Sequence, residues 1–183
     1  MPVWATRGLP SIRGLGSGPP PEPLGVLLLP AKLEEYALAA HARDLLDIPR
    51  VVAVEPSRFR ADRVAASDLM VIRQARRLRF PGKPRVLVLF HPRQYRLARG
   101  LAARHDAELW YVTGGPWEPL AAQGEETDLR IFDQRAREVA AGIVVATESQ
   151  SPRVDNQPLR SRLVELEIIS SKPFVPGARI RAR

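Results

Sequence analysis

The chain contains no cysteine, which removes disulfides, thiolate metal ligands and cysteine nucleophiles in one step. No run approaches the roughly 18 consecutive apolar residues that a membrane-spanning helix requires. Lysine is nearly absent: Lys32, Lys83 and Lys172 are the only ones among 28 basic residues, so the arginine bias reflects coding composition as much as any demand for anion binding. Aromatic residues make up only 6% of the chain and do not interleave the arginines as stacking platforms. With no zinc or helix-turn-helix spacing either, the residues argue against dedicated nucleic-acid binding. There is no GxGxxG after the first strand and no GxxxxGK[ST], so nicotinamide and P-loop nucleotides lack their phosphate cradle. A GxSxG elbow is missing too, and His41, His91 and His105 do not stand at metal-ligand spacing with carboxylates. On these grounds no cofactor and no metal is expected.

What is present suits one α/β domain. The 183 residues are enough for a substantial core. The 18 prolines and 12 glycines gather towards the ends and turns, so the middle should fold. Residues 1–23 read as a flexible Pro/Gly-rich leader. It carries Arg7 and Arg13 but is broken by Pro10, Gly14, Gly16, Gly18 and Pro19 to Pro21, and it makes a poor secretory signal. Residues 24–169 read as the folded domain and 170–183 as a basic tail without a closing helix. The formal charge of +8 would draw the chain towards phosphates or anionic lipid.

The centre is Pro84 to Tyr95, PRVLVLFHPRQY. Val86 to Phe90 has no polar residue for a wet face, so as a strand it is buried on both sides, as in a parallel sheet covered by helices. Similar apolar runs occur at Leu24 to Leu29, Arg50 to Glu55, Ala107 to Val112 and Ile143 to Ala146, with a sixth strand expected at Leu163 to Ile169. Between them the spacing predicts helices over Ala31 to Leu46, Asp62 to Arg79, Gln94 to Arg104, and from an N-cap at Thr127 to Gly142. In the first of these, His41 falls on the apolar stripe, where a buried, hydrogen-bonded role outweighs that of a ligand or base. The expected fold is a Rossmann-like three-layer domain with a mainly parallel sheet of five or six strands.

In such a sheet ligands collect at the carboxyl ends of the strands. That edge would gather Glu55, His91, Thr113, Gly114, Gly115, Glu148 and Ser149. His91 is the candidate general base or hydrogen-bond donor. Arg93 and Tyr95 follow it, and Arg93 with the helix start behind it forms an expected phosphate or carboxylate subsite. Glu55 reads as an acceptor for a ligand hydroxyl or as a plain strand-end residue. Gly114 and Gly115 would allow close backbone approach to a ligand, or simply make a turn.

VLVLFHPRQYRLARGLAARHDAELWYV, then a helix and GIVVATES, resembles the N-terminal half of GT-B-type glycosyltransferases, family 4-like, over roughly Gly25 to Ser149. The resemblance lies in element order: a strand ending in His, an Ala/Leu/Arg-rich helix, a strand, a loop, a helix, and an apolar strand with a Ser/Glu edge. It implies an acceptor-side domain binding a sugar or lipid-linked sugar, with His91, Thr113, Gly114, Gly115, Glu148 and Ser149 lining the cleft. It also implies a nucleotide-sugar-binding domain or subunit outside this chain, and so an incomplete transferase. The family's Gly-rich loop after the first strand is here Pro30-Ala31-Lys32. Cytoplasmic placement, with peripheral contact to an anionic membrane face through Arg73 to Arg79 and Arg93 to Arg104, fits the same picture. The competing expectation is a non-catalytic Rossmann-like module for an anionic partner.

Overall fold

A computed structural model of the chain describes residues 22–30, 38–54, 66–80, 82–114, 124–147 and 151–171. Five strands, β1 (Gly25–Leu28), β2 (Val51–Val54), β3 (Val86–Leu89), β4 (Glu108–Thr113) and β5 (Gly142–Val145), form one sheet in the order β2-β1-β3-β4-β5. Every pairing is parallel, with Gly25 opposite both Val51 and Val86, and Thr113 opposite Val145. The helices are α1 (Ala39–Leu46), α2 (Asp68–Arg77), α3 (Tyr95–His105), α4 (Glu126–Val139), α5 (Pro152–Asp155) and α6 (Gln157–Ser171), with a 3-10 turn at Pro92–Gln94 before α3.

Parallel strands need crossovers, and these helices cover both faces. Alternate side chains serve the two layers. Leu27, Val86 and Val88 pack with Leu38 at the N-cap of α1, with Ala42 and Leu45 of α1, and with Leu159 and Leu163 of α6. Val26, Leu28, Leu87 and Leu89 pack with Ala75 of α2 and with Tyr95, Leu97, Ala98 and Leu101 of α3. Helix α4 joins the second layer through Ala136 and reaches the first through Leu129. The chain is therefore a three-layer, Rossmann-like α/β domain in the flavodoxin-type strand order.

Three local expectations are corrected. Leu163 to Ile169 is not a sixth strand but part of α6. Leu159, Leu163 and Leu166 recur at four and three residues, and that stripe seats on the sheet, while Val164, Ile168 and Ile169 stay exposed. Leu163 lies so close to β1 that a Cβ on Gly25 would come within 3.1 Å of its Cδ2. Helix α6 is the last element among the described residues, and 172–183 lie outside them. Thr127 is not the N-cap of α4, since Glu125 holds that position. Gly142 opens β5 instead of ending the helix, which stops at Val139 with Ala140 already extended; glycine is needed at position 142 since a Cβ would strike the Trp110 ring at 2.4 Å.

Candidate functional site

Strand β1 has β2 on one side and β3 on the other, so the connections leave the carboxyl ends of β1 and β3 in opposite directions. That divergence is the topological switch point, where open α/β sheets form their ligand crevice. His91 follows β3 after a single residue. It is 2% exposed and extended, and it caps the 3-10 turn: its Nδ1 accepts the Arg93 backbone N–H at 3.1 Å. With Nδ1 used as an acceptor, the neutral ring carries its proton on Nε2. The imidazole thus meets its surroundings as a hydrogen-bond donor, and a general-base role would need the other tautomer.

Three residues on, Gln94 is 1% exposed. Its Oε1 accepts the Phe90 N–H at 3.3 Å, which bridges the end of β3 to the start of α3. This leaves Nε2 buried without a partner among the described residues, a deficit of about 1–3 kcal/mol until an acceptor meets it. No motif in the sequence marks Gln94 as a site residue. The available signal was an amide side chain three residues after a strand-end His, just where the helix begins.

The neighbouring candidates are engaged within the protein. Arg93 donates from Nη2 to Glu125 Oε2 at 2.6 Å, an ion pair that ties the 3-10 turn to the start of α4. A carboxylate thus already stands against the guanidinium at the position where an anion subsite is expected. Tyr95 points into the core, its ring 6.0 Å from that of Phe132 and its hydroxyl accepting from Arg99 at 3.4 Å. Thr113 is buried at the end of β4, where its Oγ1 accepts from Arg137 at 3.3 Å. Arg137 also pairs with Asp133 at 2.8 Å and lies over the Tyr111 ring. Asp133 raises its already high pKa further.

Gly114 has a packing reason, because a Cβ there would fall 2.6 Å from both Cβ and O of Ala146. The segments leaving β4 and β5 thus touch. Arg96 and Arg104, expected among the anion-binding groups, instead tether α3 to α2. Arg96 bonds the Asp68 carboxylate and the Ala66 carbonyl, and Arg104 bonds the carbonyls of Ala75 and Leu78 at 2.6 and 3.3 Å. Glu55, Gly115, Glu148 and Ser149 lie outside the described residues.

A second polar cluster joins α1 to the chain after β5. His41 is buried, as its place on the apolar stripe implied. Its Nδ1 is 3.3 Å from Asn156 Oδ1 and its Nε2 3.8 Å from Asp155 Oδ2. Asp155 also accepts the Thr147 N–H at 3.0 Å. Asn156 donates to the His41 carbonyl at 3.2 Å and to Asp44 Oδ2 at 2.7 Å, and Arg160 donates to Asp44 Oδ1 at 3.1 Å. With its polar groups matched in this way, the cluster acts as a clasp between α1, α5 and α6.

Among the described residues, no group of three His, Cys, Asp or Glu could hold a metal ion. Nor is any helix there long and apolar enough to cross a membrane. Comparison with protein-family models, with curated proteins and with solved structures gives no match to this chain.

Proposed function

We propose that this chain is a glycosyltransferase-like acceptor-side domain, which binds a sugar or lipid-linked sugar at the switch point. It works with a nucleotide-sugar-binding domain or subunit, at the cytoplasmic face of an anionic membrane. The supporting observation is the placement of His91 and Gln94 where β1 and β3 diverge. A protonated His91 Nε2 and a buried Gln94 amide are neutral donors. They suit hydroxyl and ring oxygens better than a phosphate, and Arg93, the nearby cation, is already neutralised by Glu125. In this reading His91 holds and polarises an acceptor oxygen without removing its proton.

The test is titration of the isotope-labelled chain with mono- and disaccharides, following backbone amide shifts. His91→Asn is the informative variant, because Asn keeps an acceptor for the Arg93 N–H while removing Nε2. Saccharide-dependent shifts at residues 90–94 that vanish in His91→Asn are expected. Shifts that persist unchanged in the variant, or their absence with every saccharide, would dismiss the reading. The second reading, a non-catalytic module for an anionic partner, is favoured by the exposed arginines of α2 and predicts a response to polyanions alone.

A further inference from the structure

We propose that the outward face of α2 is a preformed docking surface for an anionic lipid bilayer. The helix buries Val71, Gln74 and Ala75 against the domain. The opposite face carries Leu69, Ile72, Arg73 and Arg76, which stand at i, i+3, i+4 and i+7 and so form one stripe. Leu69 is 57% and Ile72 48% exposed. Scattered exposed aliphatics are ordinary on a soluble protein, but here two share a stripe with two arginines, and Met70 and Arg77 flank them.

Among the described residues no carboxylate answers the charge on this face. Asp68 is the acidic residue of α2, and its carboxylate is held by Arg96 from the neighbouring helix. Arg73, Arg76 and Arg77 are exposed on the helix, and Arg79 is exposed just beyond it. The last of these also complement the negative end of the helix dipole, which does not account for Arg73 or for the aliphatic pair. Because Arg96 and Arg104 bolt the backbone around α2 onto α3, the stripe is already in place and docking costs little ordering.

Aliphatic and guanidinium groups on one helix face suit the boundary between lipid headgroups and acyl chains, where the first are buried and the second meet phosphates. A nucleic acid would use the arginines but leave Leu69 and Ile72 without a role, and α2 has no aromatic side chain to stack on a base. The inference rests on the proposed function only for its membrane placement and is independent of the sugar site.

The experiment is cosedimentation of the full chain with vesicles of phosphatidylcholine alone and of phosphatidylcholine with phosphatidylserine, over a range of salt. Binding should require phosphatidylserine and weaken with salt. Removing one arginine from such a surface lowers partitioning on the order of fivefold, so Arg73→Gln with Arg76→Gln should lose roughly twenty-five-fold. Leu69→Ser with Ile72→Ser should lose binding at low and high salt alike, and Arg130→Gln with Arg135→Gln on α4 should change it little. Thermal melts confirm that each variant remains folded.

Three vesicle results would each overturn the proposal: no binding to either vesicle, unchanged binding on loss of the aliphatic pair, or an equal loss from the α4 pair. Binding of the same face to single-stranded or duplex nucleic acid in place of vesicles would overturn it in favour of that partner. His91→Asn should bind vesicles normally, so failure of the sugar reading and failure of this one are separable.

Discussion

His105 and Glu108 give the domain two separate sensitivities to acid. Burial, with Arg104 and Lys83 nearby, holds the His105 imidazole below its ordinary value of 6.5. The native state therefore resists a proton that the unfolded chain accepts, and stability falls as pH drops from that value towards the folded one. The Glu108 carboxyl is held below its ordinary 4.5, chiefly by hydrogen bonds from Arg162, and the Trp110 indole donates to it at 3.2 Å. Its contribution is complete above 4.5 and is lost as pH falls through the lower folded value. Denaturant midpoints measured down the pH scale should show both losses in the native chain. The first should be missing in His105→Gln and the second in Glu108→Gln, the latter having given up about 1 kcal/mol at neutral pH. Parallel pH profiles for native and variant chains would remove the linkage. At Gly114 the limit is space: Gly114→Ala should cost about 1–3 kcal/mol in a denaturant melt with no ligand present, since its Cβ would meet Ala146 at 2.6 Å. An unchanged melt would return Gly114 to a purely ligand-facing role.

Helix α6 shows how one apolar sequence admits two periods. Within Leu163 to Ile169 the run is short and β-branched at Val164, Ile168 and Ile169, which favours a strand when read alone. Extending the window back to Leu159 brings in the helical repeat, and Arg162 reinforces it by reaching Glu108 at the start of β4 through paired bonds of 3.0 Å. Two substitutions separate the alternatives. Leu163→Ala, at a side chain 1% exposed, should cost about 2–4 kcal/mol, whereas Val164→Ser, 51% exposed, should stay within about 0.5 kcal/mol. Comparable losses at these adjacent positions would contradict the helix. The arginines of α3 follow the same logic: their periodicity placed them at the helix margin, but only the position of α2 turned Arg96 and Arg104 into tethers.

Across the whole molecule, stability should be graded from the middle of the sheet outwards. Strands β1 and β3 are buried along their full length, and β4 nearly so, while β2 and β5 are half-open at the two edges. Ile143 and Val145 of β5 are 39% and 57% exposed, so that edge has few apolar contacts to resist local opening. Hydrogen exchange should accordingly be slowest at residues 26–28, 87–89 and 109–112 and faster throughout β5. Uniform protection across all five strands would show that the sheet opens only as a unit.

The sequence by itself determined the alternation of strands and helices, the parallel sheet and its burial on both faces, because unbroken apolar runs such as Val86 to Phe90 have no polar side chain to give to water. It also determined that His91 stands at a strand end and that His41 is buried. Only the tertiary structure decided the strand order that makes the end of β3 a switch point, because order depends on how crossovers pack and leaves no local mark on the chain. It likewise decided that Arg93 is spent on Glu125, that Gln94 brings a buried donor to the site, and that Leu69 and Ile72 face outward beside Arg73 and Arg76. A charge or an amide takes its role from the group opposite it, and for these residues that group comes from another element or, among the described residues, from none.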